Sequence, residues 1–244
     1  MVSAAVQPRR SNERYWPPDD TEESVVGTDL HQKTITNLRL GINECAELAR
    51  DSDGSAPWQA LSQVVLLGGR SRDRDDYRTM PDVFVYKRPI DLNRGSLTLA
   101  LDGPPALIIE VLSESTYAAD IDLARGKGYT YAQAGVPEYL TIDPVGAFLP
   151  ERIRAWRLVG GIYHPWLPAA NGRWQSKEIG ISVGLVGIMA TIHAADGRRQ
   201  LREGEIAREL VRKDGELSRK DAELSGKDLE LAELRRLVDE LRGS

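Results

Sequence analysis

The run Ala106-Leu107-Ile108-Ile109-Glu110-Val111-Leu112 is apolar throughout except for one acid. Its length and β-branched content predict a strand, and the lack of polar alternation predicts that both faces of that strand are buried. An ionised carboxylate in such a place is costly unless a cation or hydrogen-bond donor meets it. Glu110 therefore demands a partner. A second acid sits beside a strand-like run in Pro81-Asp82-Val83-Phe84-Val85-Tyr86. If Asp82 and Glu110 converge from adjacent strands, they form a hard, oxygen-rich site that suits Mg²⁺ or Mn²⁺ rather than zinc. The residues alone leave two other readings open. Asp82 can be a strand-start residue after Pro81, and Glu110 can pair with a structural arginine.

The rest of the chain supplies the layers that such a strand needs. Residues 29–50 carry Leu30, Ile35, Leu38, Ile42, Cys45 and Ala49 as one apolar stripe, which predicts a helix capped by Thr28 or Asp29. Strand character recurs at 64–69, 81–86, 104–113 and 138–144. A helix is predicted over 119–134, weakened by Gly126 and Gly128 and stopped by Gly135-Val136-Pro137. Gly160-Gly161 and Asn171-Gly172 predict turns of hairpins. The apolar segment 181–195 predicts a final strand or short helix. Trp156, Tyr163, Trp166 and Trp174 on the hairpins are expected to pack rather than to stack on bases.

Composition fits an ordinary domain with appendages. The 244 residues are 41% hydrophobic and 28% charged, a globular profile. No run approaches the roughly 18 to 20 apolar residues of a membrane helix, and residues 1–20 show no signal-peptide core, so no membrane partner and a cytoplasmic location are expected. One cysteine, Cys45, excludes an intrachain disulfide and a multi-cysteine zinc site. The net charge of −5 divides as −2 over residues 202–244 and −3 over the rest. Nucleic-acid binding would therefore need a local basic patch or a metal that offsets the carboxylates. Residues 1–20 read as a flexible lead-in, 21–195 as the core and 196–244 as a heptad-patterned helical tail. In the tail Leu210, Leu217, Leu224, Leu231 and Val238 share one heptad position, with Asp214, Asp221 and Asp228 four residues after a leucine. A coiled coil and a solvated helix with one apolar row both remain open, as does a homo-oligomer through the core or the tail.

The strings PDVFV, ALIIEVLSEST and KGYTYAQAGVPEYLTIDP, in this order and spacing, resemble the bacterial Uma family, which is grouped with the restriction endonucleases in the PD-(D/E)XK nuclease superfamily. The resemblance covers residues 21–195. It implies an α/β, restriction-endonuclease-like fold with a mixed central sheet flanked by helices, and a Mg²⁺-dependent endonuclease acting on DNA. By position, Asp82 matches the PD acid and Glu110 the second acid, the pair that would hold the metal. The superfamily's usual lysine two residues after the second acid is replaced here by Leu112, and Lys127 on the following helix matches the relocated lysine. The segment between Thr116 and Lys127 is longer than usual, so Asp120 and Asp122 both compete for the acid on that helix. His31 resembles a histidine of the first helix and is expected to be structural more often than catalytic.

The implied chemistry assigns catalytic roles to Asp82, Glu110 and Lys127. The two acids hold Mg²⁺, with Mn²⁺ as a substitute. The ion polarises a phosphoryl oxygen, and the lysine stabilises developing negative charge or positions the nucleophile. A catalytically inactive protein of the same fold, acting in nucleic-acid binding or assembly, is the alternative. Ser113, Ser115 and Thr116 are expected to cap the next helix rather than to bind phosphate. Arg70, Arg72, Arg74, Lys87, Arg88 and Arg94 form a candidate phosphate patch diluted by Asp73, Asp75 and Asp76.

Overall fold

The computed structural model describes residues 29–68, 77–91, 93–200 and 203–242. The lead-in at 1–20, the cap at Thr28 and the loop bearing Arg70, Arg72 and Arg74 lie outside them. The chain divides into two compact units, Met1–Gln200 and Leu201–Ser244.

The first unit is built on a six-stranded mixed sheet. Its order is β1 (Gln59–Leu61), β4 (Val83–Tyr86), β6 (Leu107–Val111), β7 (Glu138–Ile142), β8 (Ile153–Val159) and β9 (Ile162–Pro165). Only β6 and β7 run parallel; the other neighbours are antiparallel. Every residue of β4, β6 and β7 is buried, which is why their sequences lack polar alternation. The alternate side chains feed two cores. Val83, Val85, Leu107, Ile109, Val111, Leu140 and Ile142 pack on one face against Ile35, Leu38, Ile42 and Cys45 of α1 (Asp29–Leu48). Phe84, Tyr86, Ile108 and Tyr139 pack on the other against Tyr131 of α4 (Lys127–Ala134).

Two small sheets complete the layers. Strands β2 (Val65–Gly68), β3 (Tyr77–Thr79) and β5 (Ser96–Thr98) contribute Leu66 and Leu97 to the α4 side. Strands β10 (Trp174–Gln175), β11 (Ser182–Val186) and β12 (Met189–His193) contribute Val183, Ala190 and Ile192 to the α1 side. A Cβ on Gly41 would stand 3.1 Å from Ile192, so glycine lets α1 and β12 approach closely. A short helix, α2 (Leu99–Asp102), follows β5.

Two expectations need correction. The helix over 119–134 is two helices, α3 (Tyr117–Ile121) and α4, separated by a turn. Asp122 Oδ1 accepts the amides of Ala124 and Arg125 at 2.8 and 3.1 Å, diverting the backbone from the helical ladder. Gly126 makes the break possible, because a Cβ there would lie 2.1 Å from the Ala119 carbonyl oxygen. The segment 181–195 is a hairpin rather than one strand or helix, turned at Gly187, whose φ is +59°. The turns at Gly160-Gly161 and Asn171-Gly172 form as expected, all three glycines having positive φ. Trp156, Tyr163 and Trp166 are buried.

The second unit is one helix, α5 (Glu203–Arg242), of 40 residues. At 1.5 Å per residue it is about 60 Å long. Among the described residues no helix is long and apolar enough to cross a membrane.

Candidate active site

Antiparallel pairing sets Val83 against Ile109, so one step further Asp82 stands across from Glu110. Two backbone-to-carboxylate bonds tie the ends of the two strands. The Asp82 amide donates to Glu110 Oε2 at 3.3 Å, and the Val111 amide donates to Asp82 Oδ2 at 2.8 Å. Strand alternation puts Glu110 on the face of Ile108, towards α4. Helix α4 then delivers two side chains one turn apart to the same carboxylate. Lys127 Nζ lies 3.3 Å from Oε2, and the Tyr131 hydroxyl donates to Oε1 at 2.5 Å. Thr79 Oγ1 is 3.1 Å from that hydroxyl and extends the chain of bonds to β3.

A third acid joins from α3. Asp120 Oδ1 lies 2.9 Å from Lys127 Nζ, while Oδ2 accepts the Thr116 hydroxyl at 2.7 Å. The ammonium is thus the partner of the buried Oδ1, and the two oxygens of Asp120 are held from opposite elements. The competition between Asp120 and Asp122 is thus resolved geometrically: Asp120 reaches the site, and Asp122 shapes the turn. Thr116 stands at the start of α3 but does not cap it with its side chain; its hydroxyl goes to Asp120 instead. Ser113 Oγ bonds Thr116 Oγ1 at 2.9 Å, so the capping expectation for this cluster gives way to support of Asp120.

His31 comes from the first turns of α1. Its Nε2–H donates to the Val111 carbonyl at 2.9 Å and lies 3.6 Å from Asp82 Oδ2. The carboxylates of Glu110 and Asp120 are fully enclosed, whereas the side chains of Asp82, Lys127 and His31 are 22, 18 and 14% exposed. Access is therefore from the side of Asp82 and Lys127.

Charge decides what the site can accept. Three carboxylates face one lysine, with His31 at the edge. Burial drives the Glu110 carboxyl well above its ordinary range, and the nearby Lys127 charge only partly opposes this. Burial also raises Asp120. For Asp82, burial pushes upward, but the His31 hydrogen bond and the Lys127 charge outweigh it, and the group stays below the ordinary range. Burial would lower Lys127, yet the charges of Glu110, Asp120 and Asp82 hold its ammonium firmly protonated. Burial lowers His31 too, but Asp82 and the Val111 carbonyl leave it raised overall. Three carboxyl groups to one lysine, two of them held away from ionisation by burial, is an imbalance that a divalent cation would offset. The donors are hard oxygens, which fits Mg²⁺ or Mn²⁺. Among the described residues no group of three or more His, Cys, Asp or Glu converges tightly enough to hold an ion by itself. That is compatible with Mg²⁺, which binds through one or two carboxylates and fills its shell with water and phosphate oxygens.

The candidate phosphate patch does not assemble among the described residues. Arg94 makes a bidentate pair with Asp102 at 2.7 and 2.8 Å, Arg88 joins it at 3.3 Å, and Lys87 pairs with Glu178 at 3.2 Å. Tyr131 is a site residue that the sequence reading does not single out. The missed signal is its placement four residues after Lys127, since a buried tyrosine hydroxyl needs a partner on the face it shares.

None of the curated proteins compared matches the chain. Among solved structures, a "putative nuclease belonging to DUF820" from Anabaena variabilis ATCC 29413 is similar, with 16% identity and a TM-score of 0.40 over 64% of this chain and 79% of that one. The Uma2 family, described as "Putative restriction endonuclease", matches residues 21–184. That span is well over half of the chain and takes in Asp82, Glu110, Asp120, Lys127 and Tyr131, so the chain belongs to the Uma2 family of restriction-endonuclease-like proteins.

Proposed function

We propose that this chain is a Mg²⁺-dependent endonuclease that hydrolyses phosphodiester bonds of DNA, with Mn²⁺ able to substitute. The observation that carries the reading is the convergence of Asp82, Glu110, Asp120 and Lys127 at the ends of β4 and β6, with more buried acid than cation. Membership of the Uma2 family supports a nucleic-acid substrate.

Asp82 and Glu110 would hold the ion, and Asp120 would add negative charge behind it. When bound there, a divalent ion supplies Lewis acidity towards a phosphoryl oxygen and lowers the pKa of water. The protein's own groups do the positioning. The Val111 amide and His31 fix Asp82, and the Asp82 amide and Tyr131 fix Glu110. Lys127, partly exposed, presents a permanent positive charge where negative charge develops on the phosphate. Mutual orientation by short bonds reduces the reorganisation needed when the substrate arrives.

One observation favours the inactive alternative: the Lys127 ammonium already sits against two of the three carboxylates, as a structural cation would. Cleavage of plasmid DNA with Mg²⁺ or Mn²⁺ separates the readings. Wild-type protein is expected to nick or linearise the plasmid, and Glu110→Ala and Glu110→Gln to lose cleavage while remaining folded by circular dichroism. DNA binding without cleavage under either ion would establish the inactive reading. Undiminished cleavage by Asp82→Ala would refute the site.

A further inference from the structure

We propose that α5 pairs with α5 of a second copy of this chain as a parallel, in-register, two-stranded coiled coil. Leu210, Leu217, Leu224, Leu231 and Val238 recur every seven residues along one unbroken helix and are 44 to 63% exposed. Such a row has no reason to persist on a solvated helix, where most stability must come from a packed apolar face.

The heptad assignment chooses the geometry. With the row at position d, the a positions are Asp214, Asp221, Asp228 and Arg235, all charged, and no seam exists. With the row at a, the d positions are Lys213, Lys220, Lys227, Leu234 and Leu241. Leu231, Leu234, Val238 and Leu241 then form a continuous apolar end. The preceding lysines are long enough to lay their stems on the leucines and keep their ammonium groups at the edge.

Orientation and partner follow from packing and charge. In a parallel, in-register pair each a leucine meets its own twin, and each d lysine also meets its twin, with its stem on the seam and its ammonium turned outwards. In an antiparallel pair it would face d positions, three of them lysine. A parallel d side chain also packs beside the e position across the seam. Lys213, Lys220 and Lys227 therefore meet Asp214, Asp221 and Asp228 of the partner subunit, a complementary charge in three successive heptads. Glu209, Glu216 and Glu223 at g oppose those same aspartates, and the lysines between them offset that repulsion. Lys227 already pairs with Glu223 at 2.6 Å within the helix. In the next heptad Glu230 faces Arg235 of the partner subunit, which is attractive.

The full-length chain tests this by sedimentation equilibrium. Wild type is expected at twice its 27.0 kDa chain mass. Leu224→Asp with Leu231→Asp should return it to the monomer mass without changing thermal unfolding of the first unit. Lys220→Glu should weaken the dimer at least tenfold, and Lys220→Leu should tighten it. Val238→Cys should form an interchain disulfide under mild oxidation, because only the parallel register brings that residue to its twin. A wild-type monomer at every concentration reached, a dimer untouched by the double aspartate variant, or a dimer in which Val238→Cys does not cross-link would overturn the proposal. None of these outcomes depends on nuclease activity.

Discussion

Tyr131→Phe removes one oxygen and little else. The ring of Tyr131 packs edge-on against Tyr139 with centroids 5.2 Å apart, a contact phenylalanine keeps. What is lost is the 2.5 Å bond to Glu110 Oε1, and Thr79 loses its bond to the same hydroxyl. A buried acceptor left without its donor costs about 1–3 kcal/mol, and Glu110 is fully enclosed, so water cannot replace the hydroxyl without reorganisation. Two readouts should move together. Chemical unfolding should show a loss of about 1–3 kcal/mol. Titration with Mn²⁺ should show affinity lower by about 10- to 100-fold, the usual cost of removing a group that orients a metal ligand. A stability loss with unchanged ion affinity would mean that the hydroxyl only supports the fold. No change in either would refute the coupling of Tyr131 to Glu110.

Gly126→Ala should destabilise the protein by at least about 1–3 kcal/mol in urea unfolding, because its Cβ would strike the Ala119 backbone oxygen rather than a movable side chain. Lys127→Met leaves Glu110 and Asp120 buried without their cation and should cost about 3–5 kcal/mol; added Mn²⁺ should restore part of its melting temperature, and a variant as stable as wild type without ion would contradict the ion-pair reading. The Asp143 carboxylate accepts amides of Gly146, Phe148 and Leu149 at 2.8, 2.6 and 2.8 Å. Burial would raise this group, but those bonds outweigh it and hold it below the ordinary 3.8. Its stabilisation is therefore present above pH 3.8 and lost as pH falls through the lower folded value. Unfolding measured against pH should show Asp143→Asn less stable than wild type at neutrality, with the gap closing in acid.

The central strands were legible because burial on both faces leaves an uninterrupted apolar signature, and an acid inside such a run cannot be accidental in cost. The same reasoning brought Asp82 and Glu110 into view, the family resemblance alone added Lys127, and the three side chains lie together in the structure, their chemical roles being the proposal. Strands β1, β3 and β5 escaped notice because each is three residues long, too short for alternation to register. The break between α3 and α4 was hidden because its cause is tertiary: Gly126 is required by contact with Ala119, and its own φ of −87° is one any residue adopts. Asp120 and Asp122 could not be separated in sequence, since two residues on either side of a turn point to different destinations that only the turn defines. Thr116 kept the composition of a cap while serving a carboxylate four residues on, a choice set by the burial of Asp120.

The proposed chemistry requires Asp82 and Glu110 to share a divalent ion. Anomalous diffraction from crystals of the protein soaked in Mn²⁺ tests it most directly. One strong peak is expected within bonding distance of carboxylate oxygens of both residues, abolished in Glu110→Gln. A peak that avoids both acids, or none while the Lys127 ammonium keeps its contacts with Glu110 and Asp120, would contradict it.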